Sequence, residues 1–335
     1  MRKKLSYILI SLVLFSCKNS NESITEENAR IFNVDSKIVD EIYLSDTEGN
    51  KCHLVKKGNK WSLNDNYTAR KDAIEKLLNT IEFVKYRNPV PDKAHDQAVK
   101  NLISKHAKIE IFSNGKAIMS YFIGGQSKDG EGTYMLKQDV ETGENAEQVF
   151  ITELPGFNGY LTPRYITTET LWRDRSLFSY EKGELASIKI EYPEASDESF
   201  ELRLSQGNVS GFDLEGNEIE GLNQTVAKTY LINYKKVNFE AIATKDMSVE
   251  IDSLQSAKPL FIITATDANG KENRLVAHRR KPISNELQDA EGNPLEFDTD
   301  RLFGLLNGKE ELLVIQYFVF DKLTVKRSYF INDPS

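Results

Sequence analysis

One stretch near the middle of the chain concentrates the side chains best suited to bind another molecule. Seven candidate binding residues lie between Pro155 and Arg175, in the order Phe157, Tyr160, Arg164, Tyr165, Trp172, Arg173 and Arg175. Aromatic rings and arginine dominate binding hot spots, and they stack on sugars and other planar groups. The same residue types also pack well at the joint between two domains. The sequence therefore predicts either a packed joint here or a groove for a ligand or a protein partner.

A second candidate for chemistry is the thiol of Cys17. It ends the sequence LFSC, after the basic residues Arg2–Lys4 and the apolar run Leu5–Phe15. The run is too short to span a bilayer, whose apolar core of about 30 Å needs roughly 20 helical residues. It is typical of a signal peptide, and its ending resembles a bacterial lipobox. In such signals the thiol is diacylglycerylated, the peptide is cut before the cysteine, and the new amino group is acylated.

Cleavage before Cys17 would define the rest of the chain. It removes three basic residues and no acidic one from the 335-residue chain, so the net charge changes from −8 to −11. Such an acidic protein is a poor nucleic-acid binder. Cys52 is then the only other thiol, which excludes an intrachain disulfide and predicts a buried, inert side chain. Residues 1–16 are interpreted as the signal peptide, and residues 17–37 as the lipidated cysteine with a flexible polar tether.

The other chemistry-bearing residues favour structural roles. The glycines of 124–132 lack the Gly-Lys-Ser/Thr that a phosphate loop requires. Acidic turns begin at Asp46, Asp213, Asp267 and Asp289, but none supplies the six to eight oxygen ligands of a calcium site. The four histidines form no metal-binding or catalytic motif, and His53 should point away from the neighbouring Cys52 in a strand. We therefore predict no metal, no cofactor and no catalytic residues.

The elements that position these residues are hairpins and helices in alternation. Hairpin, strand, long helix, short helix and hairpin occur twice, about 150 residues apart along the chain. The pattern predicts an α+β fold of two tandem, similar repeats, residues 38–153 and 181–335, joined by the aromatic and arginine-rich junction 154–180. One irregular α+β domain is the alternative.

Several individual elements follow from local patterns. Thr68 is predicted to cap the first long helix, and residues 222–237 are predicted to form the second. Near the end of the chain we expect a helical turn at 300–306, a strand at 312–320 and a final strand at 325–330.

Three segments resemble one protein family. Trp61 stands before a helix, GGQSKDGEGTYM covers 124–135, and LPGFNGYLTPRYITTETLWRDR covers 154–175. These segments are similar to the "domain of unknown function 4340" family, and the resemblance covers about 38–330. Many members are lipoproteins of Bacteroidetes-type bacteria, and related domains occur with ABC-type export and gliding-motility systems. The resemblance thus implies a role in the cell envelope.

Taken together, these features predict a protein held in the cell envelope by its N-terminal lipid. We expect it in the outer membrane, facing the periplasm, and the sequence leaves display at the cell surface open. The favoured function is a non-enzymatic scaffold or accessory subunit that binds an envelope protein partner. The alternative is a glycan-binding or peptide-binding module that uses the junction aromatics, and a weaker third is a hydrolase whose site forms only in the folded chain.

Overall fold

The computed structural model describes residues 31–243, 251–282, 288, 292–309 and 311–331. The predicted signal peptide, Cys17, residues 18–30 of the predicted tether and the turn predicted at Asp289 lie outside the described residues. The chain divides into two compact units, which meet in sequence between Trp172 and Arg173.

The described part of the first unit, from residue 31 onward, is built from nine strands and three helices. Its strands are β1 Glu41–Asp46, β2 Lys51–Lys57, β3 Lys60–Leu63, β4 Tyr67–Thr68, β5 Lys85–Pro89, β6 Ala107–Ser113, β7 Lys116–Gln126, β8 Thr133–Gln138 and β9 Asn145–Glu153. Its helices are α1 Lys71–Phe83, α2 Asp92–Ser104 and α3 Glu169–Trp172, with 3₁₀ turns at Ser36–Ile38 and Thr162–Arg164.

The strands of the first unit form one antiparallel sheet in the order β4-β3-β2-β1-β6-β7-β8-β9-β5. Alternation sets its faces: in β1, Ile42 and Leu44 point into the main core while Tyr43 points outward. The main core also takes the apolar side of α1, where Ile74, Leu77 and other residues recur every three or four positions. A smaller core lies between α2 and β7–β9 and contains Val90, Ala98, Leu102, Leu136 and Val149.

The second unit is also built from strands and helices. Its strands are β10 Ser176–Phe178, β11 Leu185–Glu191, β12 Phe200–Ser205, β13 Asn208–Phe212, β14 Val237–Asn238, β15 Ala241–Ile242, β16 Phe261–Asp267, β17 Glu272–Arg279, β18 Arg301–Leu306 and β19 Leu312–Gln316. Its helices are α4 Gln224–Leu231, α5 Ile251–Ser256 and α6 Tyr317–Phe320, with 3₁₀ turns at Ser196–Glu198, Ile232–Lys235 and Arg327–Phe330.

The main sheet of the second unit is antiparallel and has the order β13-β12-β11-β16-β17-β18-β19-β15, while β10 pairs with β14. One face packs against α4 and the chain end, in a core that includes Phe178, Phe200, Tyr234 and Phe330. The other face carries a smaller cluster, which we call the α5 layer; its buried members are Leu254, Phe303, Leu305, Leu312 and Val314. The fold is thus α+β with large antiparallel sheets.

The first unit extends further along the chain than the sequence suggested. Phe32 and Val34, predicted to lie in the tether, are buried in the main core, and the Val34 amide donates to the Ile81 carbonyl at 3.2 Å. The Phe32 ring also packs edge-on against Tyr121, with centroids 5.4 Å apart. The tether prediction is therefore wrong from Phe32 onward, because burying two apolar side chains outweighs the polar composition around them.

Four local predictions are also corrected. Arg70, not Thr68, is the N-cap of α1 and makes no side-chain cap. Residues 301–306 form β18 rather than a helical turn, because this apolar segment lies between β17 and β19. The predicted strand 312–320 ends at Gln316 and continues as α6, and the predicted final strand is a 3₁₀ turn at Arg327–Phe330.

Candidate functional site

The segment that follows β9 is part of the first unit's core. Leu154, Leu161, Tyr165 and Trp172 are all buried there. The Trp172 indole donates its N–H to the Ile166 carbonyl at 2.7 Å, and the Tyr165 hydroxyl lies 3.2 Å from that of Tyr121. Burial raises the pKa of Tyr165. Tyr165 and Trp172 were predicted to bind a ligand, and their burial removes both from the candidate surface.

Hydrogen bonds connect the rest of this segment to Asp46 at the end of β1 and to Asn64, which follows β3. The Thr167 hydroxyl donates to Asp46 Oδ2 at 2.6 Å, and Asn64 Nδ2 donates to Glu169 Oε2 at 2.6 Å. Burial of Asp46 opposes its ionisation, but hydrogen bonds from Thr167 and Asn50 outweigh that cost and lower its pKa. These hydrogen bonds hold the segment in place on the first unit, so its exposed side chains project from an ordered backbone.

Three of the seven candidate residues lie close together in sequence and reach the surface, with Phe157 and Tyr160 exposed and Arg164 half-buried. Phe157 and Tyr160 are 36% and 39% exposed, respectively, and the Arg164 guanidinium stacks over the Phe157 ring at 4.2 Å. Arg164 Nη1 also donates to Thr80 Oγ1 of α1 at 3.4 Å. We call Phe157, Tyr160 and Arg164 the aromatic–arginine surface. Its arginine is held in place by an aromatic ring on one side and a helix on the other.

The tight turns in this segment depend on glycine. Gly156 and Gly159 both have positive φ, at +77° and +123°, which other residues rarely adopt. The first turn is closed by the Phe157 amide, which donates to the Leu154 carbonyl at 3.0 Å. These turns lift Phe157 out of a chain whose flanking leucines are buried.

The last two predicted residues belong to the second unit. Arg173 makes a two-pronged ion pair with Glu311, with both N···O distances 2.6 Å. Arg175 is half-buried, and its carbonyl accepts a hydrogen bond from the Phe239 amide at 3.0 Å. The seven residues predicted as one set are therefore divided between the two units.

The glycine-rich loop closes the hairpin between β7 and β8. The Ser127 amide donates to the Gly132 carbonyl at 2.8 Å. A Cβ at Gly124 would lie 2.8 Å from Leu102 Cδ2, and one at Gly132 would overlap Ile151. These two glycines therefore allow close packing.

The acidic turns are hairpin turns too, for the three that the structure describes. In each, one aspartate carboxylate accepts hydrogen bonds from amides later in the turn. Asp46 accepts from Glu48 and Asn50, Asp213 accepts from Asn217, and Asp267 accepts from Asn269 and Lys271. Their oxygens are already used to fix the turns.

A histidine and a carboxylate come within hydrogen-bond reach on the outer face of the first sheet. His53 Nε2 lies 2.7 Å from Glu41 Oε1, and the Tyr43 ring stacks beside the imidazole with centroids 4.7 Å apart. Cys52 is on the opposite face, where its Sγ donates to the Thr167 carbonyl at 3.0 Å. Burial raises the Cys52 pKa to about 12, so the thiol is protonated and a poor nucleophile.

The sequence reasoning missed a buried polar group in the second unit. The strand end Arg279-Arg280-Lys281 reads as a solvated basic patch, but Arg280 is 4% exposed and donates from Nε and Nη2 to Asp298 Oδ2 at 3.2 and 2.6 Å. Asp298 Oδ1 accepts from the amides of Asp300 and Arg301. Three consecutive basic residues at a strand end were the only local signal. Asp298, the partner of Arg280, is 18 residues further along the chain.

Two findings bound the chemistry of the described part of the chain. In it, no group of three or more His, Cys, Asp or Glu side chains is arranged to hold a metal ion. Nor does any helix among the described residues have the length and apolar character needed to cross a membrane.

Comparison with known proteins gives no further assignment. No protein-family model matches the chain, and no curated protein matches it either.

Proposed function

We propose that this protein is a lipid-anchored binding protein of the cell envelope. It would act as a scaffold or accessory subunit that holds a protein partner on the aromatic–arginine surface. The observation that carries the proposal is the stacked pair of Arg164 and Phe157 beside exposed Tyr160. Tyrosine and arginine are enriched among hot-spot residues, and a fixed arginine loses little conformational entropy on binding.

The glycan-binding alternative has less support. A sugar stacks on an open aromatic face, but Tyr165 and Trp172 are buried and Arg164 already covers one face of Phe157. The hydrolase alternative has only the pair of His53 and Glu41, to which no described serine, threonine or cysteine side chain is hydrogen-bonded. A protein partner is therefore the proposal that the exposed groups favour.

We further propose that the two units are copies of one fold. The first sheet contains the order β3-β2-β1-β6-β7-β8-β9-β5, and the second has β13-β12-β11-β16-β17-β18-β19-β15. Each strand of the second list stands where its counterpart stands in the first. The helices also correspond, since α1 and α4 follow the opening strands while α2 and α5 precede β6 and β16. This agreement supports a tandem duplication within the family proposed from the three sequence segments.

The anchor proposal rests on the sequence around Cys17. Each buried CH₂ of an acyl chain contributes about 0.8 kcal/mol, so two or three chains hold a protein on a membrane stably. From Cys17 to Phe32, the first described buried residue, the chain can span at most about 50 Å. That length limits how far from the membrane the first unit can work. We place the anchor in the outer membrane, facing the periplasm.

Replacing Cys17 by serine tests the anchor. The Cys17→Ser protein should lose labelling by radioactive palmitate and should leave the membrane fraction, because a hydroxyl cannot take the thioether-linked lipid. Cys52→Ser is the matched control and should keep both properties. A Cys17→Ser protein that is still labelled and still sediments with membranes contradicts the anchor.

The binding proposal is tested by crosslinked pull-down from native membranes. Phe157→Ala and Arg164→Gln should each reduce recovery of the partner at least about tenfold, the loss expected when a hot-spot residue is truncated. Leu171→Ala is a control, because Leu171 is exposed in the same segment but outside the aromatic–arginine surface. Equal recovery with all variants would overturn the assignment, and retention on a glycan column instead would support the alternative.

A further inference from the structure

A buried histidine lies on the sheet face that carries the α5 layer, because His278 alternates along β17 with Leu275 and Ala277 of the main core. It is 3% exposed, and neither Nδ1 nor Nε2 has a hydrogen-bond partner among the described residues. Most buried polar side-chain atoms in proteins are hydrogen-bonded, and leaving one unpaired is unfavourable. His278 is therefore a weak point in the packing of this layer.

The surroundings of His278 suit only its neutral form. It stands on β17 directly opposite Phe303 of β18. Phe303 belongs to the cluster that also contains Ile251 and Leu254 of α5. Phe303, Ile251 and Leu254 are apolar, so none of these three side chains can accept a hydrogen bond from an imidazolium ion.

Two arginines near this end of β17 already have carboxylate partners. Arg280, two residues along the strand, is bound to Asp298, and Arg301 of β18 makes an ion pair with Glu240 at 2.7 Å. Arg280 also lies 5.7 Å from the Phe303 ring centroid. A proton on His278 would add a second buried positive charge near Arg280, and no described carboxylate is hydrogen-bonded to the ring. Burial correspondingly lowers the His278 pKa from its ordinary value of 6.5.

The corresponding place in the first unit is filled differently. Under the proposed duplication, alignment of the pair Phe122–Leu136 with the pair Val276–Leu305 puts Gly124 at the position of His278. Leu102 of α2 packs directly onto Gly124, where a Cβ would be too close. The first unit thus has an apolar contact at the place where the second unit buries an imidazole.

We propose that His278 makes the α5 layer acid-sensitive, so that protonation of this side chain opens the layer while the main core of the second unit stays folded. The α5 layer is the part that yields, because it contains five buried residues and a six-residue helix. The main core on the opposite face is much larger and does not contain His278. Local opening is thus less costly than unfolding of the whole unit.

The sign of the pH effect follows from the two states. The open layer exposes His278, which then binds a proton near its ordinary pKa, whereas the closed layer binds one only at lower pH. Above the ordinary pKa of histidine, the free energy of opening the layer is at its maximum and does not depend on pH. As the pH falls below that value, the open form gains about tenfold in population per pH unit, until the lower pKa of the closed form is reached.

Hydrogen exchange on the full mature protein between pH 7.5 and 5 tests the proposal. After correction for the intrinsic exchange rate, the amides of α5 and Ala257 should lose protection in acid with the stated slope, while those of β11 should not. His278→Leu should remove the pH dependence, and His278→Gln is the second variant if leucine prevents folding. His106→Gln is the control, since the His106 ring is bonded to the Leu102 carbonyl.

Each result of the hydrogen-exchange experiment either supports or overturns the proposal. A loss of α5 protection in acid that disappears in His278→Leu supports the proposal. The same loss retained in His278→Leu overturns it, as does a parallel loss in β11 or the absence of any loss in the unaltered protein. Imidazole NMR adds an independent check, because a chain with four histidines gives a simple spectrum. A His278 signal that titrates at or above pH 6.5 also overturns the proposal.

Discussion

Replacing Trp172 by alanine should lower the free energy of unfolding of the first unit by about 3–5 kcal/mol. The indole is fully buried, and its N–H is bonded to the Ile166 carbonyl. Truncation removes the largest side chain from the core and leaves that carbonyl without its partner. The Trp172 carbonyl also accepts from the Arg70 amide at 2.7 Å, so a shift of this backbone would disturb the start of α1. This is the largest effect expected from a single change in the first unit.

The measurement can be confined to the first unit. Both tryptophans of the chain, Trp61 and Trp172, lie in that unit, so Trp61 remains as a fluorescent reporter of unfolding in urea. Tyr160→Ala is the matched control from the same segment and should change the free energy by less than about 1 kcal/mol, because its ring is exposed. If Trp172→Ala were as stable as Tyr160→Ala, the segment would be a surface joint and not part of the core.

Replacing Asp298 by alanine should destabilise the second unit by about 3–5 kcal/mol. Arg280 and Asp298 are 4% and 5% exposed, and truncation of the aspartate leaves the guanidinium buried without a counter-charge. The change also leaves the amides of Asp300 and Arg301 without their acceptor. Removal of both charges in Arg280→Leu/Asp298→Leu should restore much of the loss, because no lone charge then remains.

The stability that Asp298 contributes should depend on pH. Desolvation opposes its ionisation, but hydrogen bonds from the Asp300 amide, Arg280 and the Arg301 amide outweigh it and lower the Asp298 pKa below 3.8. Its contribution is therefore full above that value and is lost as the pH falls through the lower pKa of the folded state.

The stability that Asp298→Ala loses can be measured by hydrogen exchange of the β16 and β17 amides at increasing urea concentrations. Glu194→Ala is the control, because its partner Arg279 is partly exposed and such pairs contribute about 1 kcal/mol or less. An Asp298→Ala protein no less stable than Glu194→Ala would mean that the buried pair has no structural role.

Elements that depend only on nearby residues, such as one strand of a hairpin or one helix, were predictable from sequence. The alternation in 272–279 gives β17 with its observed ends, and the spacing of Ile74, Leu77 and Ile81 gives α1. Segment 301–306 was not predictable, since RLFGLL fits a helix or a strand buried on both faces. Only its position between β17 and β19 decides in favour of a strand.

The candidate surface was predictable only in part, for a similar reason. Composition finds a segment rich in aromatic residues and arginine, but core and binding surfaces use the same residue types. Tyr165 is buried because it meets Tyr121 of β7, 44 residues earlier, whereas Phe157 is lifted outward by glycine turns. The same limit applies to the pair of Arg280 and Asp298 and to the unpaired ring of His278. Contacts between distant positions decide burial, and local spacing does not contain them.

Site-specific photocrosslinking in intact cells tests the central claim most directly. A photoreactive phenylalanine analogue in place of Tyr160 should give a discrete, reproducible adduct with one envelope protein, and Arg164→Gln in the same chain should abolish it. The analogue at Leu171, which is exposed in the same unit, should give no such adduct. Equal adducts from positions 160 and 171, or none from position 160, would contradict the proposal that the aromatic–arginine surface holds a protein partner.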